Sequence, residues 1–123
     1  MTRLINEEHR QFISRKIVAV ARSILSGEIG IIVGARRLSG LGDKVGADRD
    51  PDFIFFVAID SESDHLPIGE VRQRWNPDAL RVKDAEVAEI EAFHRQEAFE
   101  ICRRLIQKYE SHDASHENST VER

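Results

Sequence analysis

The segment from Pro77 to Ser111 constrains the chain more than any other, because it reads as one long amphipathic helix. Asn76-Pro77 supplies its start: an asparagine side chain accepts from a free N–H of the first turn, and proline at the first helical position loses no bond. Val87, Ile90, Ala98, Ile101, Leu105 and Tyr109 mark its apolar face at helical spacing. Glu91 with Arg95, and Glu100 with Arg104, stand four apart, where opposite charges support a helix. About 35 residues at roughly 1.5 Å each span about 50 Å, whereas a globule of this size is only about 35 Å across. Such a helix must break, fray, project or pack against a second subunit. A continuous helix from Asn6 to Leu38 would match it as an antiparallel partner, which points to a dimer whose two hairpins form a four-helix bundle.

The first half of the chain supports that picture in part. Asn6 serves as a cap, with Glu7 and Glu8 at the positive end of the helix dipole, and Phe12, Ile13, Ile17, Val20, Ile24 and Leu25 form one stripe. Gly27, Gly30, Gly34 and Leu38 fall on a single face, where missing side chains allow another backbone to approach, and a bend at Gly27 is an equal reading. Each internal glycine costs about 1 kcal/mol relative to alanine, so these positions need a reason. Ser39-Gly40-Leu41-Gly42 is expected to stop the helix, with a charged loop to Asp50. Asp50-Pro51 is a second cap-plus-proline start. The run Phe53 to Ile59 also suits a buried strand, for which Ile29 to Val33 is the natural partner in a two-stranded ribbon. The fold expected is therefore all-α, a bundle of about four segments with a long C-terminal helix. The alternative is α+β, with a ribbon near 29–33 and 53–59. Residues 1–110 form one domain, and residues 111–123 read as a disordered polar tail.

Composition limits the function. The 123 residues carry 41% hydrophobic and 33% charged side chains and a net charge of −4, which suits a folded, soluble protein. An acidic balance without a dense basic cluster argues against nucleic acid, although Arg36, Arg37, Arg72 and Arg74 offer a local patch. A lone cysteine, Cys102, excludes an intrachain disulfide and suits a reducing, cytoplasmic setting. Charges at Glu7, Glu8, Arg10, Arg15 and Lys16 interrupt any signal-peptide pattern, and the longest apolar run, Phe53 to Ile59, is far short of a membrane span.

A few constellations could carry chemistry. His94 and Glu91 intrude on the apolar face of the last helix, with Asp84 further along. Glu-x-x-His is the spacing by which helical-bundle metalloproteins present a carboxylate and an imidazole to one metal; Glu28 is a third candidate ligand. No second such pair occurs, so no metal site is assigned, and the plainer reading is a half-buried His94 bonded to a neighbouring carboxylate and Glu91 paired to Arg95. Asp60, Glu62 and Asp64 alternate like the first ligands of a calcium loop, but His65 stands where that loop needs glycine and Val71 where it needs glutamate. Asp64-His65 lacks an orienting third group, Ser61 and Ser63 lack a nucleophile elbow, and Gly40-Leu41-Gly42 lacks the remaining glycine of a phosphate fingerprint. His112 and His116 stand four apart in the tail. Trp75, flanked by Arg74, suits either a core anchor or an interface anchor.

These features favour a small acidic helical binding or regulatory protein that acts through contacts with another protein. The chain is similar to bacterial immunity proteins in being small, acidic and helical, which implies an inhibitor-like role and carries no residue across. The contact surface expected is the irregular stretch from Asp60 to Trp75, with Asp60, Glu62, Asp64, His65, Arg72, Arg74 and Trp75 as interface candidates and no catalytic residue. No cofactor is expected. The alternative is a metal-dependent enzyme in which Glu28, Glu91 and His94 hold a divalent transition metal.

Overall fold

Local capping chemistry sets most of the helix boundaries. The computed structural model describes the backbone of residues 2–121 and the side chains of residues 7–110. Four α-helices, α1 (Thr2–Ser26), α2 (Ile31–Lys44), α3 (Pro51–Glu62) and α4 (Pro77–Val121), are joined by short connections and one 3₁₀ turn, Gly69–Arg74. The all-α bundle is the architecture, and the stretches 29–33 and 53–59 hold no strand. Asp50 Oδ1 accepts from Asp52 N at 2.9 Å, and Asn76 Oδ1 accepts from Asp78 N at 2.8 Å, so both cap-plus-proline starts are real. No helix of the described residues is long and apolar enough to cross a membrane. The polar tail over 111–123, with His112 and His116, lies outside the described side chains.

Four expectations need correction. α1 begins at Thr2 rather than at Asn6. The helix does not continue from Asn6 to Leu38, because the chain breaks after Ser26: Gly27 takes a φ of 81°, a left-handed conformation that glycine enters without strain. Ser39-Gly40-Leu41-Gly42 does not stop α2, which runs on to Lys44 and ends where Gly46 adopts a φ of 72°. Ser39 is tolerated inside the helix because its hydroxyl donates to the Ala35 carbonyl at 2.8 Å. The stretch from Asp60 to Trp75 is also less irregular than expected, since Asp60–Glu62 close α3 and Gly69–Arg74 coil.

The helices form a ring in which α1 lies between α4 and α2, α2 against α3, and α3 against α4. Ile13, Ile17, Ala21 and Ile24 of α1, Ile31, Ile32, Ala35 and Leu38 of α2, Phe53, Phe56 and Ile59 of α3, and Ala98, Ile101, Cys102 and Leu105 of α4 make one buried core. Phe12, placed on the stripe by its spacing, is 47% exposed at its margin. The long helix, 45 residues, packs chiefly against α1, while residues 50–72 run antiparallel to it. Two helical glycines are explained by packing. A methyl group on Gly34 would collide with Ile24, and one on Gly42 with the ring of Phe53; these neighbours are side chains, not the approaching backbone that the spacing suggested.

Both Ile24 and Phe53 are fully buried, so neither can swing away. Gly34→Ala and Gly42→Ala are therefore expected to destabilise the protein by about 1–3 kcal/mol each, despite alanine's better helix propensity. Denaturant titration of the two variants checks this. Cys102 offers a further probe: burial pushes its thiol up to about 12, so a thiol reagent at neutral pH should react only after unfolding.

Candidate functional site

Glu91, singled out as a polar intruder on α4, points into the start of α2. Its Oε2 accepts from Ile32 N at 3.0 Å. Gly30, the residue before α2, has no side chain with which to cap it, and a Cβ at Gly30 would sit 2.6 Å from the same Glu91 oxygen. Glu91 thus occupies the place of the missing cap and sets a negative charge at the positive end of the α2 dipole. The Gly30 backbone, at φ −74° and ψ 165°, is open to any residue, so glycine is needed there only for the room it leaves. Glu91 does not pair with Arg95.

His94 turns the other way. Its Nε2 lies 3.1 Å from Glu62 Oε1, with the imidazole only 19% exposed, and the ring stands edge-on to Phe55 at 5.7 Å. Glu28 accepts from the Ser23 hydroxyl at 3.2 Å. The three candidate metal ligands therefore engage three separate partners, and no group of three His, Cys, Asp or Glu side chains converges among the described residues. Asp84, also near that face, is held by Arg72.

Most of the candidates between Asp60 and Trp75 are paired within the chain while keeping part of their surface in solvent. His65 Nε2 meets Glu86 Oε2 at 2.8 Å. Arg72 grips Asp84 through two bonds, of 2.6 and 2.9 Å. Asp60 lies 3.3 Å from Arg36 Nε, a distance suited to an ion pair with an angle too poor for a hydrogen bond. Arg36 also donates to the Ser63 carbonyl and so closes the end of α3. Trp75 is half-buried, whereas Asp64 and Arg74 are exposed and make no ion pair among the described residues. The calcium-like alternation of Asp60, Glu62 and Asp64 dissolves, because Asp60 faces α2 and Glu62 faces α4.

Further up α4 the pattern continues with the signs exchanged. Arg104 bonds Asp52 at 2.8 Å and Lys108 bonds Asp50 at 2.7 Å, so Arg104 reaches across to α3 instead of along its own helix to Glu100. These two, Glu62–His94, His65–Glu86 and Arg72–Asp84 form a ladder of five side-chain pairs that fastens residues 50–72 along α4. Sequence spacing could not show it, because each rung joins distant residues. Burial alone would raise the Asp50 carboxyl, but the Lys108 bond and charge and the Asp52 amide outweigh it and hold it low. The Arg72 bond lowers Asp84, and the His65 bond lowers Glu86.

The chain belongs to the family described as "Protein of unknown function (DUF2489)", whose model matches residues 2–105. That span runs from the start of α1 to Leu105, the last buried residue of the α4 core. No curated protein and no solved structure matches the chain.

Two measurements test this geometry. In a double-mutant cycle, Glu91→Ala and Gly30→Ala should each cost about 0.5–2 kcal/mol, while Gly30→Ala adds little once Glu91 is gone, because the two changes remove the same cap. Additive losses would count against it. The ladder predicts acid lability. Asp50, Asp84 and Glu86 titrate lower folded than unfolded, so their stabilisation is complete above the ordinary carboxyl values of 3.8 and 4.5 and disappears as pH falls through the depressed folded ones. Tm followed down to about pH 2.5 should show an acid limb that Asp50→Asn and Asp84→Asn flatten and added salt weakens.

Proposed function

We propose that the protein is a binding or regulatory protein that acts through protein contacts, and that α3 provides one contact surface. The supporting observation is the composition of α3 set against its position. Residues Phe53 to Ile59 are apolar without interruption, yet only Phe53, Phe56 and Ile59 are buried. Ile54 and Val57 remain 49% and 42% exposed, and Ala58 is exposed beside them. A helix that is apolar all round is normally enclosed on every side, and here the bundle encloses only one side.

The occupant that fits is an uncharged helical face, in the first place that of a second copy. Every acidic residue of α3 and its cap, Asp50, Asp52, Asp60 and Glu62, is matched by Lys108, Arg104, Arg36 or His94 within the chain. Two α3 faces can therefore meet about a twofold axis without setting unmatched like charges across the contact. The stretch from Asp60 to Trp75, with Glu62, Asp64, His65 and Arg74 exposed, continues from the end of α3 and extends this surface.

Light scattering at about 10–200 µM, a range suited to a small isologous contact, measures the outcome. The wild type is expected to dimerise with concentration and Ile54→Glu/Val57→Glu to stay monomeric with an unchanged circular dichroism spectrum. A wild type that remains monomeric throughout that range removes α3 as a self-contact.

A further inference from the structure

A second surface lies on the opposite pair of helices. Between α1 and α2 runs a groove of about 430 Å³, largely open to solvent and lined by Lys16, Ala19, Val20, Arg37, Gly40, Leu41 and Lys44. Its floor is apolar and its sides are cationic. No acidic residue lines it, and none of Lys16, Arg37 and Lys44 makes an ion pair among the described residues. In a chain of net charge −4, three such cations around one apolar groove form a local surface of opposite sign.

Gly40 adds an independent observation. Gly30, Gly34 and Gly42 are each required by a neighbouring side chain, but a Cβ on Gly40 would meet nothing within 4 Å. Its φ is not positive, so no turn demands it either. A glycine inside a helix is a weaker choice than alanine, and nothing within this chain repays it. It lines the groove together with the small Ala19, where its missing Cβ leaves room.

From this juxtaposition we infer that the α1–α2 groove is a docking site for an acidic amphipathic helix of a partner protein. Two neighbouring helices present ridges between which a third can lie. Arg37 and Lys44, seven residues apart on α2, are about 10 Å apart along the helix, the spacing of residues two turns apart on a docked helix. Lys16 faces from α1. The occupant then carries carboxylates at that spacing, with apolar side chains between them over Ala19, Val20, Gly40 and Leu41. Phe12, half-exposed one turn before Lys16 and covered by its ammonium at 4.9 Å, extends the apolar strip. An isolated small molecule is favoured less, because small-ligand sites enclose most of the ligand surface and this groove is open along its length.

The test uses the whole protein and a synthetic helix-forming peptide of about 20 residues, long enough to span the groove. The peptide bears leucines along one stripe and glutamates beside it, and its control bears lysines in place of the glutamates. Calorimetry is expected to give a micromolar Kd for the acidic peptide that weakens with salt, and binding at least about tenfold weaker for the control. Lys16→Glu/Arg37→Glu/Lys44→Glu should reverse that preference, and Gly40→Trp should block both peptides, each with Tm retained. Gly40→Ala should raise Tm by a few degrees, showing that the fold itself has no use for glycine there. Ile54→Glu/Val57→Glu should bind the acidic peptide normally, which separates this site from the α3 contact. Equal affinity for both peptides, no binding of either, indifference to charge reversal, or binding of a medium-chain alkanoate alone would each overturn the inference.

Discussion

The carboxylate of Glu91 at the start of α2 is the contact on which the arrangement of the bundle turns. α2, like α4, contacts all three other α-helices, and its first turn carries the buried Ile31 and Ile32. The Ile32 N–H lies in a part-buried place, where leaving it unbonded is costly. A local Ser or Asp at position 30 would satisfy the first turn without reference to the rest of the fold. Glycine makes the cap conditional on α4 being in place, so the bond that finishes α2 also fixes the rotation of α4 about its axis. With that rotation set, Ala98, Ile101, Cys102 and Leu105 face inward and His94 faces α3.

The ladder along α4 complements this cap. Its rungs are solvent-exposed to varying degrees and individually weak, as surface pairs are. Their order carries more information than their energy. Lys108 and Arg104 meet the acidic start of α3, whereas Asp84 and Glu86 meet Arg72 and His65. Reversing the direction of residues 50–72 along α4 would set Arg72 near Arg104 and Asp50 near Asp84. Like-charge contacts penalise that alternative, so the pairs select the antiparallel arrangement even where each contributes little to stability.

What could be read from the sequence was what depends on neighbours within one turn. The caps at Asp50 and Asn76, the bend at Gly27 and the apolar face of α4 are all of that kind, and all are present. Glu91 and His94 were conspicuous for the same reason, since polar residues interrupt an apolar stripe visibly. Their purpose was not legible, because the partner of Glu91 is 59 residues away and that of His94 is 32 away. Glycine shows the limit most clearly. Gly27, Gly34, Gly40 and Gly42 look alike in sequence, yet one turns the chain, two make room for Ile24 and Phe53, and one faces open space. Reading Gly40-Leu41-Gly42 as a stop failed because neither glycine leaves the helical region, and the positive φ comes at Gly46 instead.

Net charge is a coarse guide to what any one face presents, for a related reason. An overall acidic balance counts every carboxylate equally, but many of those in this chain are already bonded to a cation within it. Exposed charges are felt over about 8 Å at physiological ionic strength, which is less than the width of the bundle. A partner approaching the α1–α2 side therefore meets Lys16, Arg37 and Lys44 rather than the sum of −4. A partner approaching α3 meets Ile54, Val57 and Ala58, with the adjacent acids neutralised. The internal pairs thus do more than hold the segment 50–72 against α4: by removing charge from one face and leaving it on another, they make two surfaces of one small bundle chemically distinct.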